Sequence, residues 1–307
     1  MKKLLTLLAL TVSFSMNAQV STNSTSPTGI YASAMGNGTT ASGNESTAMG
    51  YDTTASGEAS TAMGYSTTAS TQASTAMGKL TTASGDYSTA MGKLTTASGD
   101  YSTAMGYSST ASGSRSTAMG QSTTASATFS TAMGLGTTAS DYSSTVIGQY
   151  NSSGSSATSA NSFSTSAPAF VIGNGTASNA KSDAFKVMFN GDATVSNDLT
   201  VSGDVNITSD ARLKSNIVSL GSTLPKLLQI DGKSYEMKGK QKIGVLAQEI
   251  QEVFPELVSE DDNEMLAVNY QGLVPVLINA LKEQDKIIKT QEERLNKIEE
   301  LLVNLNE

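Results

Sequence analysis

The sequence predicts a mainly β N-terminal part built as a parallel β-roll, followed by an α+β domain that ends in a coiled coil. Three observations predict it. Met recurs at 35, 49, 63, 77, 91, 105, 119 and 133, always 14 residues apart and always followed by Gly. Composition changes abruptly at Ser209: residues 19–208 carry 5 Lys/Arg and 10 Asp/Glu, residues 209–307 carry 12 and 17. Finally, the last stretch has apolar residues spaced alternately 3 and 4 apart.

Residues 1–18 read as an export signal. Lys2 and Lys3 precede an apolar run from Leu4 to Met16, and small residues near Asn17-Ala18 offer a cleavage point. The run is shorter than the roughly 20 residues of a spanning helix. No later stretch is a spanning candidate, so the expected location is secreted or cell-surface. Residues 19–31 are expected to be a linker.

Residues 32–148 hold the repeats. A typical unit is Ser46-Thr47-Ala48-Met49-Gly50, two variable residues, then Thr53-Thr54-Ala55-Ser56-Gly57; Ile147 takes the ninth apolar place. Two units are nearly identical, with Lys79-Leu80-Thr81-Thr82 returning as Lys93-Leu94-Thr95-Thr96. Thr favours strands and Gly marks bends, so each unit is expected to hold two strands of about five residues. Alternation sets Thr47 and Met49 on one face and Ala48 on the other. Stacking then piles each Met on the next. So few apolar side chains close only a thin core, and pairing or trimerising through Ala/Gly/Ser faces would bury more. A disordered low-complexity linker is the competing reading; an apolar residue at the same place in every unit opposes it.

This block resembles the head repeats of YadA-like trimeric autotransporter adhesins, whose unit runs Ser-Val-Ala-Ile-Gly, a variable stretch, then Ala-x-Gly. Ser144-Thr145-Val146-Ile147-Gly148 is the nearest match. The resemblance implies a left-handed trimeric parallel β-roll used for adhesion. Those adhesins end in a membrane-anchoring β-barrel, which this chain does not show.

Residues 149–168 read as a Ser/Asn-rich linker and 169–208 as a β-rich shaft. In the shaft, Ala169 to Gly175 and Ala184 to Gly191 are expected as strand, turn and strand. Val195, Leu199, Val201, Val205 and Ile207 alternate with polar residues, as in a narrow triple-stranded prism. Residues 209–272 form the next domain and 273–307 the terminal helix. Val274, Leu277, Leu281, Gln284, Ile288, Gln291, Leu295, Ile298, Leu302 and Leu305 make an a/d seam; the two Gln would pair across the axis and set register.

The absence of Cys removes disulfides and thiolate chemistry, and the absence of His removes the commonest base and metal ligand. No cofactor or metal is implied. A net charge of −8 opposes a nucleic-acid partner. Hydrolytic chemistry would have to use Lys, Asp or Glu.

The chemical motif is Ser209-Asp210-Ala211-Arg212-Leu213-Lys214. Taken alone it reads as a helix start capped by Ser209 or Asp210. On a helix, residues i and i+5 do not face each other, so a Ser–Lys pair needs a turn or a second chain.

The wider pattern, however, resembles the endosialidase-type intramolecular chaperone auto-processing domain of phage tailspikes, tail fibres and bacterial surface proteins. The carrying residues are Gly244-Val245-Leu246-Ala247-Gln248-Glu249, Phe254-Pro255-Glu256-Leu257-Val258, Val268-Asn269-Tyr270 and Leu273 to Glu283. The resemblance implies a trimerising chaperone that templates the preceding stalk and then cuts its own chain at Thr208-Ser209. Ser209 would be the nucleophile and Lys214 the base of a single-turnover serine endopeptidase, with Asp210 and Arg212 in support. Many relatives carry a His shortly before the Gly of the Ala-Gln-Glu motif; Gln241 and Lys242 stand there instead.

Such chemistry is coherent, because Ser needs a base and Lys serves as one only when neutral. Arg212 would either supply positive charge beside Lys214 or pair with Asp210. The combined expectation is a trimeric roll with a chaperone domain and a trimeric coiled coil, functioning as a surface fibre or adhesin. Matrix protein, glycan and cell-surface molecules are the candidate ligands of the homotrimer. The alternative is a structural fibre that keeps its C-terminal domain. A glycan-degrading tailspike is disfavoured, since acids such as Asp52, Asp86 and Asp100 occur singly. Release of a transcription factor, as in myelin regulatory factor-like proteins, is opposed by the export signal and the acidic stalk.

Overall fold

A computed structural model describes residues 24–261 and 264–305. The export signal expected over 1–18 lies outside the described residues. Contacts divide the chain into two compact units between Asp204 and Val205.

The first unit is a β-solenoid of 14-residue coils. Each coil contributes one five-residue strand and one two-residue strand, as in Thr89–Lys93 and Thr96–Ala97. The second strand is shorter than its composition predicts. Two corners use up the remaining residues: Leu94 (φ 58°) and Tyr101 (φ 60°) both turn left-handed, and the pleat cannot run through them. Long strands pair in parallel with long, short with short. Because the register is one full repeat, like stacks on like: Thr89 on Thr103, Ala90 on Ala104, Met91 on Met105.

The interior is lined by small residues. Ala90 and Ala97 are completely buried, as are Thr95 and Ser88. Val146 and Val171 take the alanine place in the last coils and are equally buried. The association face expected from Ala, Gly and Ser is therefore the inside of the coil, and what faces outward is a ladder of half-buried Met and Thr. Gly92 explains why Gly follows each Met: its φ is 121°, and a Cβ there would overlap the carbonyl oxygen of Gly106 in the next coil.

The coils begin earlier than the repeat reading implied. Ser26–Pro27 already pairs with Thr40–Ala41, and Ile30 N–H donates to Asn44 Oδ1 at 3.1 Å. At the other end the expected linker is an excursion that returns to the roll. Pro168–Asn174 joins the long sheet in parallel beside Thr145–Gln149, setting Ile172 on Ile147 and Val171 on Val146. Asn151 replaces the missing next short strand: its amide donates to Thr138 O and its oxygen accepts from Thr138 N–H, both at 2.8 Å. Buried Asp141, standing where most other units have Gly, holds the excursion by accepting from Thr158 and Ser159 N–H at 2.6 and 2.8 Å.

Asp183–Met188 then adds antiparallel to Pro168–Asn174, and Ala193–Val195 adds to that. Beyond it, Leu199, Val201, Val205 and Ile207 are exposed and outside regular elements. The alternation that reads as a prism makes no prism within one chain.

The second unit is small. Helix α1 is Leu224–Leu227, α2 is Ala247–Val253 and α3 is Leu273–Leu305. Two antiparallel hairpins, Lys233–Met237 with Lys240–Gly244 and Val258–Glu260 with Leu266–Val268, complete it. Ile250, Phe254 and Val276 are its buried centre, packed against Leu227, Val253, Leu257 and Val268. Helix α3 is 33 residues long and uses only its first turns for this core, through Val276 and Ala280. Leu281, Leu295 and Leu302 of the heptad seam are more than half exposed.

Candidate functional site

Thr208 and Ser209 lie on an exposed segment outside regular structure that enters a one-turn 3₁₀ helix, Ala211–Leu213. Asp210 is its N-cap: the carboxylate accepts from Arg212 N–H at 2.8 Å, closing an Asx turn. Of the two capping residues the sequence left open, Asp210 takes the role and leaves the Ser209 hydroxyl for other work. The turn ends at Lys214, which is extended (φ −117°, ψ 142°) while its N–H still bonds Ala211 O.

This is the turn that a pair five residues apart requires. A tight 3₁₀ turn with extended residues at both ends brings Lys214 back beside Ser209, and Lys214 Nζ donates to Ser209 Oγ at 2.7 Å. A serine hydroxyl and a lysine amine within hydrogen-bond reach is an arrangement that acyl transfer requires.

Arg212 goes to the other side. Its guanidinium grips Asp210 through Nε at 3.1 Å and Nη2 at 2.7 Å. That contact, first through the side chain and then through the backbone N–H, holds the Asp210 carboxyl below the usual aspartate range. The same bond raises Arg212. Both groups are exposed, so the pair positions the turn more than it stabilises the fold. Its charge is also largely neutralised by Asp210 before it can act on Lys214.

Gln241 and Lys242, at the place where many relatives carry His, sit on the second strand of the first hairpin, opposite Glu236 and Tyr235. At the start of that hairpin, Lys233 bridges Asp231 and Glu249 at 3.0 and 3.1 Å, and just after it Tyr270 Oη accepts from Val245 N–H at 3.2 Å. These contacts tie the Ala-Gln-Glu segment to the start of α3.

One feature of the domain escaped sequence reasoning. Glu283, on α3, reaches the start of α1: its carboxylate accepts from Thr223 N–H at 2.5 Å and from Ser222 Oγ at 2.7 Å. Buried Thr223 Oγ1 also donates to Val276 O at 3.0 Å. The available signal was Ser222-Thr223-Leu224-Pro225, a helix start with Pro in the first turn and no acid of its own to cap it.

Comparison with known families agrees with both resemblances, in the same order along the chain. Seven windows between residues 28 and 151 match the YadA head domain repeat, the last six overlapping. Residues 209–259 match a peptidase family described as the chaperone of endosialidase, and that match begins at Ser209. A search of curated proteins found no match. Among the described residues, no helix is long and apolar enough to cross a membrane.

Proposed function

We propose that this protein is an exported homotrimeric fibre of the cell surface or its surroundings. Its roll binds a matrix protein, a glycan or a cell-surface molecule, and its C-terminal domain assembles three chains and then cuts Thr208-Ser209. The observation that carries the cleavage is the 2.7 Å bond from Lys214 Nζ to Ser209 Oγ at the first residue of the chaperone match.

The step balances without any cofactor. Lys214, neutral, takes the hydroxyl proton as Ser209 Oγ attacks the Thr208 carbonyl carbon through a five-membered ring. The C–N bond breaks, Lys214 returns the proton to the leaving amine, and an ester joins Thr208 to Ser209. Water then hydrolyses the ester, leaving Thr208 as a carboxylate and Ser209 as a new N-terminus. A neutral lysine needs cover from solvent or a neighbouring positive charge. Lys214 is exposed in the single chain, so docking of the chains supplies that cover and cleavage reports assembly.

Two open apolar surfaces support the trimer. One is the outward Met ladder of the roll, the other the exposed a/d seam of α3. A narrow roll with an alanine core gains its third dimension of burial from its neighbours. Joining three chains at one end raises their effective concentration for the slow, non-local pairing of the rest.

The test is expression of residues 19–307, followed by native mass and N-terminal sequencing of any small fragment. A trimer with a fragment starting at Ser209 supports the whole reading. The exposure of the Ser209–Lys214 pair also admits a fibre that keeps its C-terminal domain, and a trimer of intact chains would select that alternative.

A further inference from the structure

Each coil of the roll is a flat plate with two edges. One edge carries the last residue of the long strand and the one after it, such as Lys79-Leu80 and Lys93-Leu94. The opposite edge is the turn before the next long strand, which carries Asp86-Tyr87 and Asp100-Tyr101. Between residues 32 and 148 the only cations are Lys79, Lys93 and Arg115. Two of the three therefore sit in register on one edge, and two acids sit half a coil further along on the other.

Neither pair is neutralised within the chain. None of the four takes part in an ion pair among the described residues. A five-residue strand, about 16 Å, separates the edges. Stacked at the coil spacing of about 4.8 Å, Lys79 and Lys93 repel, as do Asp86 and Asp100. The lysines lean apart: Lys79 lies over the Tyr65 ring at 5.1 Å, one coil back, and Lys93 over the Tyr107 ring at 5.3 Å, one coil on. Asp100 Oδ1 accepts only the N–H of Asp86, at 3.1 Å.

Three plates placed around an axis with their Met ladders inward form a prism. At each vertex the first edge of one plate meets the second edge of the next, a heterologous contact repeated three times. With the rolls parallel to the axis, equal coils stand at equal height. We propose that Lys79 and Lys93 of one chain pair there with Asp86 and Asp100 of a second copy, and that these pairs set the axial register of the head. This rests on the trimeric reading above. The same apposition puts Asp52 beside Glu58 of the second copy, a repulsive vertex two coils away.

The test uses the full chain, with native mass and the thermal midpoint of trimer dissociation as readouts. Lys79→Asp with Lys93→Asp lowers the midpoint, and so does Asp86→Lys with Asp100→Lys. All four changes together restore it, and salt near 1 M narrows every difference because exposed pairs are then screened within about 3 Å. Glu58→Lys alone raises the midpoint. A trimeric wild type whose midpoint ignores both doubles, or a fourfold variant no better than the weaker double, overturns the register pairs and leaves the trimer standing. A wild type that is not trimeric by native mass removes both.

Discussion

Glu283 Oε1 lies 2.5 Å from the backbone nitrogen of Thr223, sixty residues earlier in the chain. This bond fastens the short helix α1 to the long helix α3. It also makes the domain sensitive to acid. Hydrogen bonds from Thr223 N–H and Ser222 Oγ hold Glu283 below the ordinary glutamate value. A depressed carboxylate contributes stability above its unfolded value of about 4.3, lost as pH falls through the lower folded value. A thermal melt at pH 6 and at pH 3 should therefore differ more for Ser209→Ala, which keeps the domain attached, than for Ser209→Ala with Glu283→Gln. Equal pH sensitivity in the two would remove this role.

Ser209→Ala and Lys214→Ala should each leave one full-length band on a denaturing gel, with the native mass of the trimer unchanged. Lys214→Arg should also fail to cut, because an arginine keeps its charge and takes no proton. Splitting near Thr208 in all three variants would dismiss the dyad. Asp210→Ala loses the cap of the turn rather than a reacting atom. It should slow cleavage instead of abolishing it.

The heptad seam and the domain core use different faces of α3, so they can be tested apart. Leu281→Asp with Ile288→Asp puts charge on the exposed seam while Val276 and Ala280 keep their places in the core. The expected product is a folded, uncut monomer by light scattering. A cut monomer would show that the site assembles without its neighbours.

In the roll, Gly92→Ala should destabilise by more than the roughly 0.4–1 kcal/mol by which the same change stabilises where Ala is compatible. The backbone is left-handed at that position and the next coil occupies the space. Ala90→Leu, at a fully buried site, should cost about 1–3 kcal/mol through overpacking. Urea melts of a fragment covering 24–195 would measure both. A Gly92→Ala variant as stable as wild type would mean that the coils are wider spaced than this register allows.

Sequence alone determined the coil length, the stacking of like on like, the division near Ser209 and the a/d seam, because each is a periodicity or a composition and needs no distant contact. It also singled out Ser209 and Lys214, through family resemblance. Three things were left to tertiary structure. Which face of the long strand is interior was decided by the stacked fold: Ala90 is fully buried and Met91 only half-buried, although a preference for apolar interiors favours Met. Whether residues 149–167 end the roll or re-enter it depended on Asn151, which satisfies the Thr138 backbone groups a further coil would have paired, and on Asp141, which holds the excursion through Thr158 and Ser159 N–H. Whether Lys214 meets Ser209 depended on the turn capped by Asp210, since a spacing of five is unhelpful on an α-helix and suits one 3₁₀ turn between extended residues. In all three the deciding quantity is a distance across space, and sequence spacing does not encode it.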